Sequence, residues 1–384
     1  MKIVHIAPNA PYNDYWGYQD NLLPKYHRKM GYDVTVITTN TAHKDGKIVE
    51  IDCGDYVLDD GVRVIRLKKK QYFNIVLTNL NSRLSVYEYL ADIKPDIVFH
   101  HGLISTTIYD VIKYKKKINP ECVIFQDNHL DYNNMYRCNI IKEWICRLFY
   151  RHINRRSIPY VERVYGVTPW RKTYAEDYFR IPNNKTDILV MGGDDEKIHF
   201  DKMPELRTDI RKQLSLKDDD FVVITGGKID PTKNIHLLMH AVSELNRDNL
   251  KLIVFGTPNN EIKSEIEKLS EDKHIINIGW LDSEKAYDYF LASDLAVFPG
   301  THSVLWEQAC ACGIPCVFKD WEGMHHVDTG GNCEFLHKDS KEEIKAVISS
   351  IFDDKEKYSE MKQAAEKSKK DFFYSEIAKR AIGN

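Results

Sequence analysis

Short apolar runs alternate with longer amphipathic segments along most of the chain. The first run, Lys2 to Ala7, leads into a loop and a helix over about residues 18–30, and Asp33 to Thr38 is the second run. A short continuous run predicts a buried strand, whereas apolar positions at 3.6-residue spacing predict a helix. A strand, a helix and a second strand at this spacing form a βαβ unit, and the sequence therefore predicts a parallel sheet.

The same alternation continues to about residue 167. Residues 47–67 predict two or three short strands. Further strands are predicted over 95–101, 122–126 and 163–167, the last of which closes the sheet, and helices over about 79–92, 105–117 and 139–162. These segments fit one α/β layer built on a parallel sheet.

A stretch rich in proline, glycine and aspartate, about 168–220, separates this layer from a second one. Strands are predicted again over 221–227, 250–256, 275–278, 295–298 and 315–318, with helices over 234–246, 259–270, 283–292, 303–312, 340–368 and 372–381. We expect a domain of residues 1–190, to which about 370–384 return, and a second domain of residues 191–369. A chain of 384 residues suits two domains of ordinary size.

The composition is that of an ordinary globular chain. Hydrophobic residues make up 43%, enough for two cores, and the formal net charge of −3 does not favour a nucleic-acid partner. No apolar run approaches the ~18 residues of a membrane span, and Met1–Pro8 reads as a strand rather than as a signal peptide. The eight cysteines contain no Cys-x-x-Cys pair, so we expect reduced, buried thiols in a cytoplasmic protein and no zinc site.

One stretch in the second half, Phe221–Val242, combines a strand, a glycine turn and a helix start. Gly226-Gly227 lets the backbone turn tightly, Asn234 is placed to cap the helix, and Lys228 and Lys233 flank the turn. The start of a helix attracts anions through its free N–H groups and its partial positive charge. This pattern predicts a cradle for a nucleotide diphosphate, the alternative being a harmless turn with two solvated lysines.

A second stretch, Leu295–Val317, has the same strand, loop and helix organisation. Its helix start offers backbone N–H groups and side chains that suit a phosphate at Thr301, His302, Ser303 and Val304. Glu307 and Gln308 lie about one turn further in, where a side chain can accept hydrogen bonds from ribose hydroxyls. The two stretches together indicate a nucleotide site.

With these motifs the chain resembles the GT-B glycosyltransferases of family 4. The Gly-Gly-Arg/Lys…Lys-Asn signature of that family is matched at Gly226, Gly227, Lys228, Lys233 and Asn234. Its Glu-x7-Glu motif, followed by Ala-x-Ala-x-Gly-x-Pro, is matched only in part. Counted back from Gly313, the second Glu falls on Gln308 and the first on Gly300, and Glu307 takes the second role only with a shift of one residue. Weaker likenesses lie at Tyr18–Pro24, Val190–Asp195 and Tyr374–Ala378.

The resemblance implies two Rossmann-like domains facing across a cleft, with a C-terminal helix that crosses back to the first domain. It also implies a retaining glycosyltransferase that moves a sugar from a nucleotide-sugar, with a UDP-sugar favoured, to a glycan or lipid-linked acceptor in cell-surface polysaccharide synthesis. No cofactor and no metal are expected. Lys228 and Lys233 would neutralise the departing diphosphate, and Glu307, or else Gln308, would hold the ribose.

Several other strand ends are candidates for ligand contacts. His129 follows a strand, and in the resembling family a histidine in a comparable place touches the donor sugar; Asp127 and Asp131 are placed to orient it. The alternative for His129 is an ordinary surface residue. Gly17, beside Trp16, is a candidate for the first loop that approaches the phosphate, or is a simple turn.

Gly256 and Trp280 follow two strands of the second domain, at the edge where base and ribose usually lie. Trp280 either flanks the base or is buried between helices.

The predicted helix over 140–156 is amphipathic. Ile141, Trp144, Ile145 and Leu148 form one face, and Arg147, Arg151 and Arg155 recur on another. Such a helix could hold the first domain on the inner face of an anionic membrane, with Lys113 to Lys117 adding charge. The alternative is an ordinary surface helix with its core face inward.

Two other functions remain open from the sequence. A sugar-nucleotide epimerase on the same scaffold would need a set of carboxylates that the motifs do not supply. A non-catalytic nucleotide-sugar-binding subunit is favoured by the absence of the first Glu of the family motif.

Overall fold

A computed structural model describes residues 1–44, 46–71, 82–133 and 140–383 of the chain. The chain divides into two compact units. One comprises Met1–Val190 together with Ile377–Asn384, and the other comprises Met191–Glu376. Each unit has its own sheet and its own core, and each is described by itself.

The first unit is built on an eight-stranded sheet. Its strands are β1 (Lys2–Ala7), β2 (Asp33–Thr39), β5 (Gly54–Val57), β6 (Arg63–Leu67), β9 (Ile97–His101), β10 (Val123–Asn128), β11 (Arg163–Gly166) and β12 (Thr186–Ile188). Two antiparallel pairs lie outside the sheet, β3 (Thr41–Lys44) with β4 (Lys47–Glu50) and β7 (Lys70–Gln71) with β8 (Ser82–Arg83). The sheet order is β12-β11-β10-β9-β1-β2-β6-β5, parallel throughout except that β5 runs antiparallel to β6.

Helices follow the strands of this sheet. They are α1 (Gln19–Lys29), α2 (Tyr87–Ile93), α3 (Ile108–Lys117), α4 (Ile140–Ser157) and α5 (Pro169–Phe179). A parallel sheet covered on both faces buries both sets of side chains, which explains why β1 after Lys2 and the whole of β9 are buried, their histidines included. Val4, Ile6, Val98 and Ile124 lie in the core.

The second unit repeats this plan on a six-stranded parallel sheet. Its strands are β13 (Phe221–Gly226), β14 (Leu250–Phe255), β15 (Ile275–Gly279), β16 (Leu295–Phe298), β17 (Cys316–Lys319) and β18 (Cys333–Leu336). The sheet order is β15-β14-β13-β16-β17-β18. Its helices are α6 (Met203–Gln213), α7 (Ile235–Leu245), α8 (Lys263–Leu269), α9 (Ser283–Ala292), α10 (Leu305–Ala311), α11 (Lys341–Asp353) and α12 (Lys355–Ser368). The last helix, α13 (Tyr374–Ala381), starts in this unit, and its residues from Ile377 onward belong to the first.

The α/β class and the parallel sheets are confirmed, but several predicted elements are wrong. β11 does not close the first sheet, because β12 pairs beyond it. β18 was not predicted, since it has four residues, two of them half-buried. The helix predicted over 79–92 begins only at Tyr87; residues 79–81 lie outside the described ranges. Thr107 and Asp110 accept the backbone N–H groups of Leu84 and Val86, which holds that segment outside a helix.

The thiols are free, but they are not all buried. Five cysteines are buried and Cys146 is half-buried, whereas Cys53 is exposed, contrary to prediction. Cys138 lies outside the described residues. In the part of the chain that the structure covers, no helix is long and apolar enough to span a membrane.

Candidate functional site

The glycine turn after β13 is shaped by contact between strand ends. Gly227 has a φ of 104° and donates its N–H to the Phe255 carbonyl at 3.0 Å. Gly256 has a φ of 122°, and a Cβ there would lie 1.8 Å from the Gly227 oxygen. Gly256 therefore requires glycine because two backbones meet there, and Gly227 favours glycine because of its positive φ, whether or not a ligand also approaches.

Hydrogen bonds join the two motif loops, which are about seventy residues apart in sequence. The Lys233 ammonium donates to the carbonyls of Thr301 at 2.7 Å and His302 at 3.1 Å. The Thr301 N–H donates to the Thr232 carbonyl at 3.0 Å. The Asn234 side-chain amide donates to the Pro299 carbonyl at 3.1 Å. The two stretches that predict a nucleotide site thus form one surface.

Asn234 does not cap α7, contrary to prediction. It occupies the N-cap position with a φ of 55°, and its side chain makes no capping hydrogen bond. A short 3₁₀ turn, Pro231–Lys233, precedes it and is capped by Asp230. The left-handed conformation directs the Asn234 amide to the Pro299 carbonyl and the Asp339 carboxylate instead.

The two lysines of the turn differ in environment. The Lys228 side chain is 75% exposed, and its ammonium lies 3.2 Å from the Asp230 carboxylate. Burial lowers the pKa of Lys233, whose ammonium contacts two carbonyls. An ammonium has three donors, so Lys233 keeps one beyond these two contacts.

Gly300 explains the departure from the family motif. A Cβ at this position would lie 2.4 Å from the Lys233 Cα and from the Lys233 carbonyl carbon. A glutamate cannot occupy Gly300 while the two loops are joined in this way. The missing first carboxylate is therefore tied to the close approach of the loops.

Glu307 lies beneath this surface and is fully buried. Its Oε1 accepts hydrogen bonds from His302 Nε2 at 2.8 Å and His326 Nε2 at 2.9 Å. Burial raises the pKa of Glu307, but these two imidazoles outweigh it and lower the pKa to about 2. Its Oε2 is buried with no hydrogen-bond partner among the described residues.

His302, Glu307 and His326 form the group in the described ranges whose ligand atoms could hold a metal ion, since those atoms lie within 4.8 Å of one another. Two histidines and a carboxylate are a known zinc ligand set. However, His326 Nδ1 is buried without a partner, whereas a metal-bound histidine usually donates its other N–H. The two hydrogen bonds to Oε1 join the three side chains.

The other predicted residues of the second unit lie around this cluster or at neighbouring strand ends. Gln308 is 5% exposed on α10, and Thr301, Ser303 and Val304 are half-buried in the preceding loop. Trp280, after β15, is 70% exposed, so the alternative of a Trp buried between helices is wrong. His326 was not predicted; the signal for it is a His-His pair after the buried strand β17.

In the first unit, His129 follows β10 and its side chain is 44% exposed. Its Nε2 lies 3.4 Å from the buried Asp127 carboxylate. Asp131 pairs with Arg171 at 3.2 Å. Gly17 is exposed, and Trp16 stacks on His43 with ring centroids 5.4 Å apart.

In a comparison with known protein families, a match falls within the second unit. The model of the family "Glycosyl transferases group 1" matches residues 207–368. This segment is a glycosyl transferases group 1 domain. The domain contains both motif loops and the whole His302–Glu307–His326 cluster.

Two curated relatives match the chain in part. An uncharacterized glycosyltransferase of Methanocaldococcus jannaschii is 20% identical over 157 residues, which are 39% of this chain and 40% of the relative. The lipopolysaccharide 1,2-N-acetylglucosaminetransferase of Salmonella typhimurium is 32% identical over 101 residues, 23% of this chain and 26% of the relative. The matches thus span less than half of either relative.

In its fold, the chain is similar to solved structures over its full length. The structure of Anabaena HepE in complex with UDP-glucose matches with a TM-score of 0.65 at 14% identity, covering 100% of this chain and 98% of HepE. The chain therefore has the GT-B fold of two Rossmann-like domains, as the sequence predicts.

Proposed function

We propose that the chain is a retaining glycosyltransferase that moves a sugar from a UDP-sugar to a glycan or lipid-linked acceptor in cell-surface polysaccharide synthesis. Three findings support the proposal: the glycosyl transferases group 1 domain, the likeness to HepE with UDP-glucose, and the partial match to a lipopolysaccharide N-acetylglucosaminetransferase. The observation that carries it is the joint between the two motif loops through Lys233.

Lys228 and Lys233 are proposed to neutralise the diphosphate as it departs. Lys228 is exposed enough to reach a ligand, and Lys233 keeps a donor beyond its two carbonyl contacts. Electrostatic stabilisation of developing charge usually contributes more to catalysis than any other single effect. Gly227, Thr301, His302, Ser303 and Val304 supply the surrounding backbone and side chains.

Glu307 is proposed to hold the ribose, with Gln308 as the alternative. The buried Oε2 has unused acceptor capacity, and an added hydroxyl donor would relieve the cost of leaving it without a partner. Because this oxygen is screened from solvent, the ribose reaches it only with a shift of the side chains above it. Gly256 and Trp280 are proposed to border the base, and Gly17 and His129 of the first unit to contact the phosphate and the sugar.

A thermal-shift panel of UDP-, GDP- and ADP-sugars tests the donor class. A ligand at 100 times its Kd stabilises the folded state by about 2.7 kcal/mol, which gives a visible rise in melting temperature. We expect UDP-sugars to give the largest rise. A panel in which no nucleotide-sugar raises the melting temperature contradicts the proposal.

Gly300 favours one alternative, a nucleotide-sugar-binding subunit without turnover. The carboxylate that contacts the donor sugar in the family has no place at this position. A transfer and donor-hydrolysis assay with the same panel separates the two functions. Binding without turnover across donors and acceptors would favour the binding subunit.

One apolar face of α4 is exposed, whereas Tyr150 and Ile153 of the same helix lie in the core, as in an ordinary surface helix. Ile141 is 74% exposed, Trp144 61%, Ile145 44% and Leu148 45%. The basic face is only partly available, because the Arg151 guanidinium donates to the carbonyls of Tyr178 and Asp177 at the end of α5. We propose that α4 rests on the surface of an anionic membrane that carries the acceptor.

Co-sedimentation with vesicles of phosphatidylglycerol and phosphatidylcholine tests this contact. Trp144→Ser removes a large apolar side chain from the face and should weaken vesicle binding by roughly fivefold or more. Val57→Ser, at a residue 65% exposed on β5, is the matched control and should leave binding unchanged. Equal sedimentation of wild type and Trp144→Ser would remove the membrane role of α4.

A further inference from the structure

Three buried histidines of the first unit form one hydrogen-bonded line, called here the imidazole chain: His27, His5 and His101. His5 Nε2 lies 3.0 Å from His27 Nδ1, and His5 Nδ1 lies 3.1 Å from His101 Nε2. The sheet register explains the line. His5 lies opposite Phe99, so His101, two residues further along β9, projects from the same face.

At each end, the imidazole chain contacts a group that can only accept a hydrogen bond. His27 Nε2 lies 2.8 Å from the Ala378 carbonyl on α13, in the C-terminal segment that belongs to this unit. His101 Nδ1 lies 2.7 Å from the Asp127 carboxylate. Each terminal ring nitrogen must therefore carry a proton.

Counting protons along the line fixes its charge. The two terminal bonds need one proton each, and each of the two bonds between rings needs one proton. Three neutral imidazoles carry three protons, whereas these four bonds require four. With all four hydrogen bonds formed, one of the three histidines is an imidazolium.

The surroundings place this charge on His101. Burial lowers the pKa of His5, as do His27 and His101, and burial lowers the pKa of His27 to about 4. Burial also opposes the charge on His101, but Asp127 and Asp20 raise its pKa above the ordinary value. Titratable groups that contact the imidazole chain or act on its charge are Asp20 on α1, Tyr32, His100 on β9, Asp127 and His129.

Asp127 is held from three sides. Its Oδ2 lies 2.7 Å from His101 Nδ1 and 3.4 Å from His129 Nε2. Its Oδ1 accepts a hydrogen bond from the Gly102 N–H at 2.9 Å. Burial raises the pKa of Asp127, yet His101 and His129 lower it well below its usual range. An ion pair with His101 thus keeps a fully buried carboxylate ionised beside the exposed His129.

We propose that His27, His5 and His101 are positioning residues, which keep one extra proton on His101 and so fix the Asp127 carboxylate against His129. The imidazole chain also links this ion pair to the C-terminal segment, through the hydrogen bond from His27 to the Ala378 carbonyl. The role of His129 at the sugar rests on the proposed function, whereas the proton count does not.

Imidazole nitrogen NMR on the full chain labelled with ¹⁵N-histidine tests the proton count without donor or acceptor. At neutral pH we expect His101 to be protonated on both nitrogens, and His5 and His27 each on Nε2 only. A His101 ring with one unprotonated nitrogen at neutral pH would overturn the proposal.

Two substitutions at His5 separate the proton count from simple packing. In His5→Leu the His101 Nε2 proton has no acceptor, so His101 should lose it and titrate at a lower pH than in wild type. In His5→Gln the amide can accept from His101 and donate to His27, so His101 should keep both protons. The same titration of His101 in a folded His5→Leu would overturn the proposal.

The consequence for activity is read from the same pair of variants. If the proposed function holds, His5→Leu turns over donor more slowly than His5→Gln at equal folded fraction. Equal turnover in the two variants, with the proton count confirmed, would overturn the positioning role alone. Absence of turnover in wild type instead contradicts the proposed function and leaves the NMR result standing.

Discussion

Each unit buries one carboxylate among imidazoles near the carboxyl end of its sheet, and the two carboxylates differ in whether both oxygens have a hydrogen-bond partner. Asp127 has both oxygens occupied, by His101, His129 and the Gly102 N–H. Glu307 receives both of its imidazoles on Oε1, and its Oε2 has no partner among the described residues. Both oxygens of Asp127 thus have partners within the protein, whereas Oε2 of Glu307 can accept a hydrogen bond from one more donor.

This difference favours different roles for Asp127 and Glu307. A buried carboxylate with every oxygen satisfied is held rigidly, which suits a group that orients its neighbour, His129. A buried oxygen without a donor is costly, and a ligand hydroxyl would relieve that cost. The comparison therefore supports the proposed positioning role of Asp127 and the proposed ligand-binding role of Glu307.

The largest expected effect is on folding when Asp127 loses its charge. Asp127→Asn removes one partner of a buried ion pair and should lower the free energy of unfolding by about 3–5 kcal/mol. Asp55→Asn, which breaks the pair of Asp55 and Arg63 at an exposed site, is the matched control and should cost about 1 kcal/mol or less. Urea unfolding measures both, and equal losses would show that Asp127 is not held as described.

The next effect falls on turnover and concerns Lys233. Lys233→Ala should lower turnover on the order of 10²-fold or more, by analogy with the loss of a group that stabilises developing charge. Lys233→Met keeps the apolar stem but loses the charge and the hydrogen bonds to the Thr301 and His302 carbonyls, so it should lose turnover to a similar extent. Lys228→Ala, at an exposed site, should lose less; unchanged turnover in both Lys233 variants would contradict the assignment.

The pH dependence of stability tests the charge on Glu307. Its pKa is lowered from 4.5 to about 2, so its ionised form stabilises the fold above pH 4.5, and that contribution is lost as the pH falls from 4.5 towards 2. This lowering of the pKa corresponds to about 3 kcal/mol. Glu307→Gln should lack this increment. Parallel stability curves for the two proteins between pH 4.5 and 2 would show that Glu307 is not an ionised partner of the two histidines.

The smallest expected effect is that of a chelator. Because hydrogen bonds already hold His302, Glu307 and His326 together, EDTA should leave the melting temperature and the turnover unchanged. A fall in melting temperature that zinc restores would show instead that the cluster is a metal site.

The layered fold could be predicted because both sheets are buried on two faces and give clear apolar runs. The short edge strands β12 and β18 escaped prediction, since three or four partly polar residues carry little periodic signal. The exposed face of α4 could not be decided either. An apolar stripe has the same spacing whether it faces a core or the solvent.

The nucleotide motifs could be located from sequence because each is a local strand, turn and helix. Their joint through Lys233 could not, since it depends on how β13 and β16 pair. The imidazole chain was missed for the same reason. His5, His27 and His101 lie on three different elements: the register of β1 against β9 aligns His5 with His101, and the position of α1 beside β1 adds His27.

Titration calorimetry of UDP against wild type and Lys233→Ala tests the central claim most directly. The account predicts saturable binding at one site in wild type and binding at least about tenfold weaker in the variant, since a charged contact to a phosphate is lost. No UDP binding to the folded wild type, or equal affinity in the two proteins, would contradict it.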